Sequence, residues 1–517
     1  MKFSKIAVLA LLTLALAMTV ACGGGSSTSN PPASTFSNAS LKGNFTFLAI
    51  GGDSLGSNTY GGAESYQVGG VLVADGNGNI TGGEQTYDDS PLVNGDSFTG
   101  SYSIASNGIG TITLNTGDTE IGMNGTGTEV FTVVMLSSSK ALITQFDTSA
   151  TSSGVLEAQT STATPTGGYA FCVLGADLNS SAPLSFGGVF NIDNNPAAGT
   201  ISGAGSVVDI NDAGSLSLAQ SATGSIASPD YTTSNPDALG KIEIQLTVGS
   251  NQVQFDGYIV DSNHIQLVED DGYGVTGGTA FAQGSATGTF TANSAFTGNF
   301  VYGFGGYNIA GIGADAGVLS ADGNGNLVSA PIDQNWGGSV ISDTLSGTYT
   351  VDNSGTGRVV LSTNFANNGT GPSMILYLTG NGSAVAMQEM DPFALGAGAG
   401  YPQGSGTPSF NGNYGVGFDN IDTNFIESDG VARISANGSA GTFSGTANIN
   451  EDFVPTTNQS FNGTFTSFTG GRSTGTLTVN SGSPITNAFY FFDSAHGYVI
   501  ETDSNAVTLG TVQQQTP

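Results

Sequence analysis

The side chains of this sequence that could do chemistry recur at matched places along it. Gln145, Glu269, Glu389 and Glu501 each close a short run, and Asp147, Asp271, Asp391 and Asp503 each follow two residues later. In an extended chain, residues two apart share a face. Further back on that face the residues are mostly apolar: Ala141 and Ile143, Ile265 and Leu267, Val385 and Met387, Gly497 and Val499. Each stripe therefore faces a core and ends on a carboxylate or an amide. A second recurrent polar group is the glutamine that closes each segment, at Gln159, Gln283, Gln403 and Gln513. A looser third set, Asp88, Asp209, Asp333 and Glu451, falls near the third run of each segment. Three chemistries suit such groups. They can satisfy one another inside a module and fix its register. They can anchor a ligand or cation at the mouth of a cavity. As paired carboxylates they can hydrolyse glycosides, which requires a set separation and a sugar-sized cleft. Trp336 is the only Trp, and Gln145 replaces the acid in the first copy, so the third chemistry is the least supported.

The two histidines, His264 and His496, precede the same run, where the other copies carry Lys140 and Ala384. A position shared by His, Lys and Ala is not a general base. No local Ser-His-Asp grouping, zinc-ligand spacing or phosphate-cradling loop is present. The stretch GGVLVADGNGNITGG at 69–83 returns at 316–330 as AGVLSADGNGNLVSA. Asp75, Asn77 and Asn79 have the spacing that opens an EF-hand loop. That loop needs Gly sixth and Glu twelfth, whereas Ile80 and Thr86 stand there, and Leu327 and Asp333 in the second occurrence. Asp-Gly and Asn-Gly are hairpin-turn residues because they tolerate positive φ. The expectation is a tight turn, with no metal and no cofactor.

The elements that position these groups form a repeat. Gly–x–aromatic opens each copy at Gly43, Gly167, Gly298 and Gly412, and Gly-Val follows at Gly70, Gly188, Gly317 and Gly430. Two further glycines recur, at Gly100, Gly224, Gly347 and Gly463, then at Gly110, Gly240, Gly357 and Gly475, before the closing Gln. The period is about 120 residues, far longer than a solenoid repeat. Each copy holds about eight short alternating runs, such as GNFTFLAI, GSYSI and GTITL, split by turn residues. Loops this short join antiparallel neighbours. The predicted fold is all-β: four tandem modules at 41–160, 166–284, 296–404 and 410–514, each an eight-stranded antiparallel up-and-down barrel. The module length and the recurring Gly–x–aromatic and ADGxG rhythm look like the avidin and lipocalin class of small barrels. The alternative is an eight-bladed propeller with two blades per module. Between modules lie the small, polar stretches TSTATPT, GSATGTFTANSA and GSGTPS, read as flexible linkers.

The composition limits partners. Forty acidic residues face eight basic ones, a net charge of −32, which repels nucleic acid. Charged residues are still only 9%, and Gly numbers 80, so the surface is built from small polar residues. Of the two cysteines, Cys172 lies in an apolar run and reads as a small hydrophobe. The chain opens with Lys2, Lys5 and the apolar run 6–20, followed by small residues and Cys22. That run is too short to span a bilayer comfortably and has the layout of an export signal. The ending TVAC resembles the bacterial lipoprotein signal, with Thr19 in place of the usual Leu. The resemblance implies cleavage after residue 21 and lipid on Cys22, and Gly23 rather than Asp implies the outer membrane. Residues 22–40 would then be a tether. The function expected is an exported, lipid-anchored, non-enzymatic protein of the cell envelope that binds or scaffolds an unknown partner. A small-molecule or ion carrier using the barrel interiors is the alternative, and a carboxylate hydrolase the third.

Overall fold

The computed structural model describes residues 35–517 apart from 54–63, 90–91, 120, 123–124, 181, 196–197, 309–310, 381–384 and 423. The leader, Cys22 and Ala384 lie outside the described residues. The described chain forms four closed eight-stranded antiparallel barrels in tandem, Lys42–Ala158, Gly167–Ala282, Thr297–Pro402 and Gly412–Gln514. The third is the most regular, with strands Thr297–Asn308, Gly311–Asp322, Asn326–Trp336, Ser339–Val351, Arg358–Phe365, Gly369–Leu378, Val385–Asp391 and Ala394–Pro402. Each strand pairs with its chain neighbours, and the eighth returns to the first. The first barrel breaks its fourth strand at Phe98, and the second breaks its third strand after Ile201. The barrel prediction thus holds over the propeller alternative. Closure removes the exposed edges that strands this rich in Gly and Thr would otherwise offer for aggregation.

Alternation builds the cores. The strand Ile109–Asn115 buries Gly110, Ile112 and Leu114 and exposes Thr111 and Asn115 between and beyond them. Phe45, Phe47, Tyr66, Phe131 and Leu156 fill the first interior, and Phe171, Phe186, Phe190 and Phe255 the second. Each such side chain contributes about 1.5–3 kcal/mol on burial. The cavity among Phe47, Leu72, Ile112 and Phe131 measures about 10 Å³ and is walled by apolar atoms.

The repeated ADGNGN stretches are turns between the second and third strands. Gly76 and Gly78 adopt φ of 84° and 108°, and Gly323 and Gly325 of 77° and 103°, a backbone that β-carbons disfavour. Asp75 Oδ1 accepts the backbone N–H groups of Asn77 at 2.6 Å and Asn79 at 3.1 Å, while Oδ2 accepts Asn79 Nδ2 at 2.7 Å. Asp322 repeats the arrangement at 2.7, 3.0 and 2.7 Å. These donors hold both carboxyls down at about 2. The Asp75 and Asp322 carboxylates, which would open a calcium loop, are occupied in folding the turn.

The barrels belong to one compact unit and close on one another. The first strands of each barrel pack on the last strands of the next, and those of the fourth barrel pack on the first. Ala170, Cys172 and Val189 meet Ile375, Tyr377 and Ala386 between barrels two and three. Val301, Ala316 and Val318 meet Tyr490, Tyr498 and Ile500 between three and four. Val431 meets Val134, Leu136 and Leu142 between four and one. A head-to-tail contact whose rotation closes makes a ring rather than a filament. The connecting stretches are not free linkers. Thr160 N–H donates to Val260 O at 2.8 Å, Gly404 N–H to Phe492 O at 2.7 Å, and Phe290 is buried. Of the stretch 22–40 read as a tether, Phe36 is buried and residues 38–40 form a 3-10 turn on the first barrel, so this part belongs to the barrel; residues 22–34 lie outside the described residues.

Candidate functional site

Gln145, Glu269, Glu389 and Glu501 take equivalent places on the seventh strands, opposite Phe131, Phe255, Met374 and Asn487. All four are buried at one end of their barrel interiors. Tyr66 OH donates to Gln145 Oε1, and Gln145 Nε2 donates to Asp147 at 3.1 Å. Thr276 Oγ1 donates to Glu269 at 2.6 Å, and Thr508 Oγ1 to Glu501 at 2.5 Å. Burial raises the Glu269 and Glu389 carboxyls well above their usual range and Glu501 to about 8. Glu389 faces Asp315, which burial lifts to about 7 while Gln334 and Trp336 donate to it, the indole at 2.6 Å. Burial thus favours the neutral form of these carboxyls, which lie inside packed barrels.

The closing glutamines do not join them. Lys140 pairs with Glu157 across the last hairpin, so Gln159 lies beyond the start of the seventh strand while Gln145 ends it. Each glutamine instead reaches into the next barrel. Gln159 Nε2 donates to Leu239 O and Ile259 O at 2.7 and 2.9 Å, and Gln283 Nε2 to Thr356 O and Leu378 O at 2.7 and 2.8 Å. Gln403 Nε2 donates to Gly470 O at 3.3 Å. In the fourth barrel this residue is Gln515, not Gln513: its Nε2 donates to Asn107 O and Met135 O of the first barrel at 3.1 and 2.8 Å. Run-on of Gln513, Gln514 and Gln515 hid the register. The glycine beneath is Gly108, Gly240, Gly357 or Gly471, so Gly110 and Gly475 were misaligned. Gly430 is likewise two residues out, since Ala432 pairs with Val416 as Gly70 does with Phe47.

Register also corrects the third set. Thr86, Asp209, Asp333 and Asn448 are the equivalent residues, and they face the next barrel. Asp209 accepts Arg358 Nε and Nη2, both at 2.7 Å, and Tyr377 OH at 2.7 Å. Asp333 accepts Arg472 Nε and Nη2 at 2.6 and 2.7 Å and Tyr490 OH at 2.6 Å. Two planar, bidentate latches thus join barrels two to three and three to four. Thr86 meets Asp256 and Tyr258 of the second barrel, with Tyr258 OH at 2.7 Å, and Lys241 pairs with Asp256 at 2.6 Å. Asn448 Nδ2 donates to Thr132 Oγ1 at 2.7 Å across the closing junction, where Ile109 and Val134 replace the Arg and Tyr. Two residues along the same strand, Asn211, Asn335 and Asn450 each donate Nδ2 to two or three backbone carbonyls at the far turn of the next barrel, at 2.7–3.1 Å. Sequence reading missed these asparagines, because Asn in a turn-rich chain draws no notice. The fourth equivalent is Asp88.

A polar cluster joins the first two barrels near the third. Lys140 Nζ lies 2.9 Å from Glu157, and His264 Nδ1 lies 3.4 Å from it. Burial lowers the His264 imidazole, with Glu157 opposing. Tyr401 of the third barrel feels Lys140 and Glu157 and stacks on Phe492 of the fourth, centroids 4.9 Å apart. The cluster is charge-compensated. His496 is exposed beside Asp493, Nδ1 at 2.9 Å. Cys172 is buried, its Sγ donating to Met387 O at 3.0 Å, and burial pushes its thiol up.

No protein-family description matches the chain, and no curated protein matches it. A solved structure of a protein of unknown function from the DUF3598 family of Nostoc punctiforme PCC 73102 is similar at 9% identity, over 44% of this chain and 98% of that one, with a TM-score of 0.15.

Proposed function

We propose that this is an exported, lipid-anchored, non-enzymatic protein of the cell envelope, held through Cys22 and presenting a ring of barrels to a partner outside the cytoplasm. The observation that supports it is how the chain uses its polar groups. The polar groups that recur among the copies, Gln in all four, Asn in three and Asp–Arg–Tyr in two, are spent on joining one barrel to the next, and the interiors are filled with aromatic side chains. A filled interior is poor ground for a carrier, and carboxyls buried inside the barrels are poor ground for a hydrolase. What remains for recognition is the outer turns. Tyr273 and Phe393 occupy the same turn of neighbouring barrels and are 64% and 69% exposed, and aromatic side chains of this kind are enriched in interfaces. The leader supplies the anchor: several acyl chains, at about 0.8 kcal/mol per buried CH₂, hold a protein on a membrane. The test is metabolic labelling with radioactive palmitate in a bacterial host. The wild-type chain should take label and sediment with membranes, and Cys22→Ser should be unlabelled and soluble. An unlabelled wild-type chain refutes the anchor. Native mass spectrometry of the same preparation tests the rest, since a small molecule carried in stoichiometric amount would restore the carrier reading.

A further inference from the structure

The fourth barrel carries three carboxylates that its sisters lack. Asp419 on the first strand stands directly opposite Asp429 on the second, and Glu427 lies two residues before Asp429 on the same face. One oxygen of each lies within 4.8 Å of the others. Like charges directly opposite on paired strands destabilise them. The other barrels put Ile50, Leu174 and Gly305 at the place of Asp419. They put Gln67, Ser185 and Ala314 at that of Asp429, and no acid at that of Glu427. The fold therefore does not require the acids.

Asp429 is fully buried. Its Oδ2 accepts Thr151 Oγ1 of the first barrel at 2.8 Å, its Oδ1 has no donor, and its other side-chain partner is the Glu427 carboxyl within the group. Glu427 accepts the Gly52 N–H, also from the first barrel. None of the ion pairs among the described residues involves these carboxylates. Burial, with the neighbouring Asp419, raises the Glu427 carboxyl to about 8. Exposure grades from buried Asp429 through half-buried Glu427 to exposed Asp419, which leaves a way in from solvent.

We propose that Asp419, Glu427 and Asp429 bind one hard divalent cation, Ca²⁺, with water completing the oxygen shell. The site sits where the fourth barrel meets the first. That junction is made by no chain connection and lacks the Asp–Arg–Tyr latch. Because Gly52 and Thr151 hold two of the same carboxylates, a bound cation tightens the junction that closes the ring.

The experiment is calcium titration of the chelator-treated, full-length purified protein, read by calorimetry and by thermal melting. One Ca²⁺ per chain should bind, with Kd on the order of 10⁻⁴ M, as in extracellular calcium modules, and the Tm should rise. The triple variant Asp419→Asn, Glu427→Gln, Asp429→Asn should melt, without calcium, at or above the temperature of the calcium-free wild type, because the repulsion is gone. It should show no response to calcium. Glu243, Asp256 and Asp270 form another close carboxylate group, but Lys241 already neutralises it, so Glu243→Gln with Asp270→Asn should keep the calcium response. No stoichiometric binding at millimolar calcium overturns the proposal. So does a response that survives the triple variant or disappears only in the control.

Discussion

Asp88 occupies the position at which the other three barrels carry asparagine. There the amide nitrogen of Asn211, Asn335 or Asn450 donates to backbone carbonyls of the next barrel. A carboxylate has no proton to give them. Asp88 is fully buried, and neither of its oxygens has a hydrogen-bond partner. Burial, then Glu269 and Asp270, raise its carboxyl well above the usual range. The sign follows from linkage. A carboxyl raised in the folded state contributes stability that is complete below its unfolded pKa, about 3.9, and is lost as pH rises through the folded value. Asp88→Asn supplies the missing donor at every pH. Thermal or urea melts should show it stabilised by about 1–3 kcal/mol at pH 8, with little gain at pH 4. A loss of stability at pH 8 would mean that the position is not shared with the three asparagines.

At the scale of the strand, the third strand of each barrel is a two-sided element. One face enters its own core, as Leu327 and Ile332 do in the third barrel, and the other carries the groups that grip the next barrel. The latch between Asp209 and Arg358 is fully desolvated on the Asp side. Breaking a buried pair by removing one partner costs about 3–5 kcal/mol, whereas replacing both can be neutral. The closing junction already shows such a replacement, with Asn448 and Ile109 at the same places. Arg358→Ile alone should therefore destabilise by about 3–5 kcal/mol, and the double variant Arg358→Ile with Asp209→Asn should recover most of it in equilibrium unfolding. A double variant as unstable as the single one would show that the pair does more than satisfy its own charges.

For the whole molecule, every junction of the ring brings the same strands together, although only three of the four are bridged by the chain. Phe36 N–H donates to Ser106 O at 3.2 Å, and Gln515 Nε2 donates to the adjacent Asn107 O at 3.1 Å. Both ends of the described chain thus meet over one turn of the first barrel. Termini this close favour circular permutation. A permutant that joins residue 517 to residue 35 through a short Gly/Ser linker, and opens between barrels two and three at residue 288, should keep the ring. It should melt in one cooperative transition near the temperature of the 35–517 chain. Separate melting of two halves would show that the connection between barrels two and three, rather than the interfaces, holds the assembly.

How much of this was legible in the residues depends on the range of the interaction. Alternation along Ile109–Asn115, Asp-Gly and Asn-Gly in the turns, and ordered recurrence of Gly–x–aromatic are local or periodic properties. From them follow the all-β class, the four copies and the turn role of Asp75 and Asp322. The seventh-strand stripe ending at Gln145, Glu269, Glu389 and Glu501 was also readable, because period-two burial assigns a face without knowing the partner. What lay beyond reach were groups whose meaning is a partner far along the chain. Gln515 had two identical neighbours, and only pairing with Asn413 fixes it as the fourth closing glutamine. Asp209 and Arg358 are 149 residues apart, and Thr151 and Asp429 are 278 apart. Sequence periodicity repeats within a barrel and carries no record of which outward face meets which. That choice is made when rigid barrels dock, through shape, desolvation and a few directional hydrogen bonds. By itself the sequence determined the barrels and their number, while the closed ring and the isolated acidic triad at its last junction were decided only by tertiary packing.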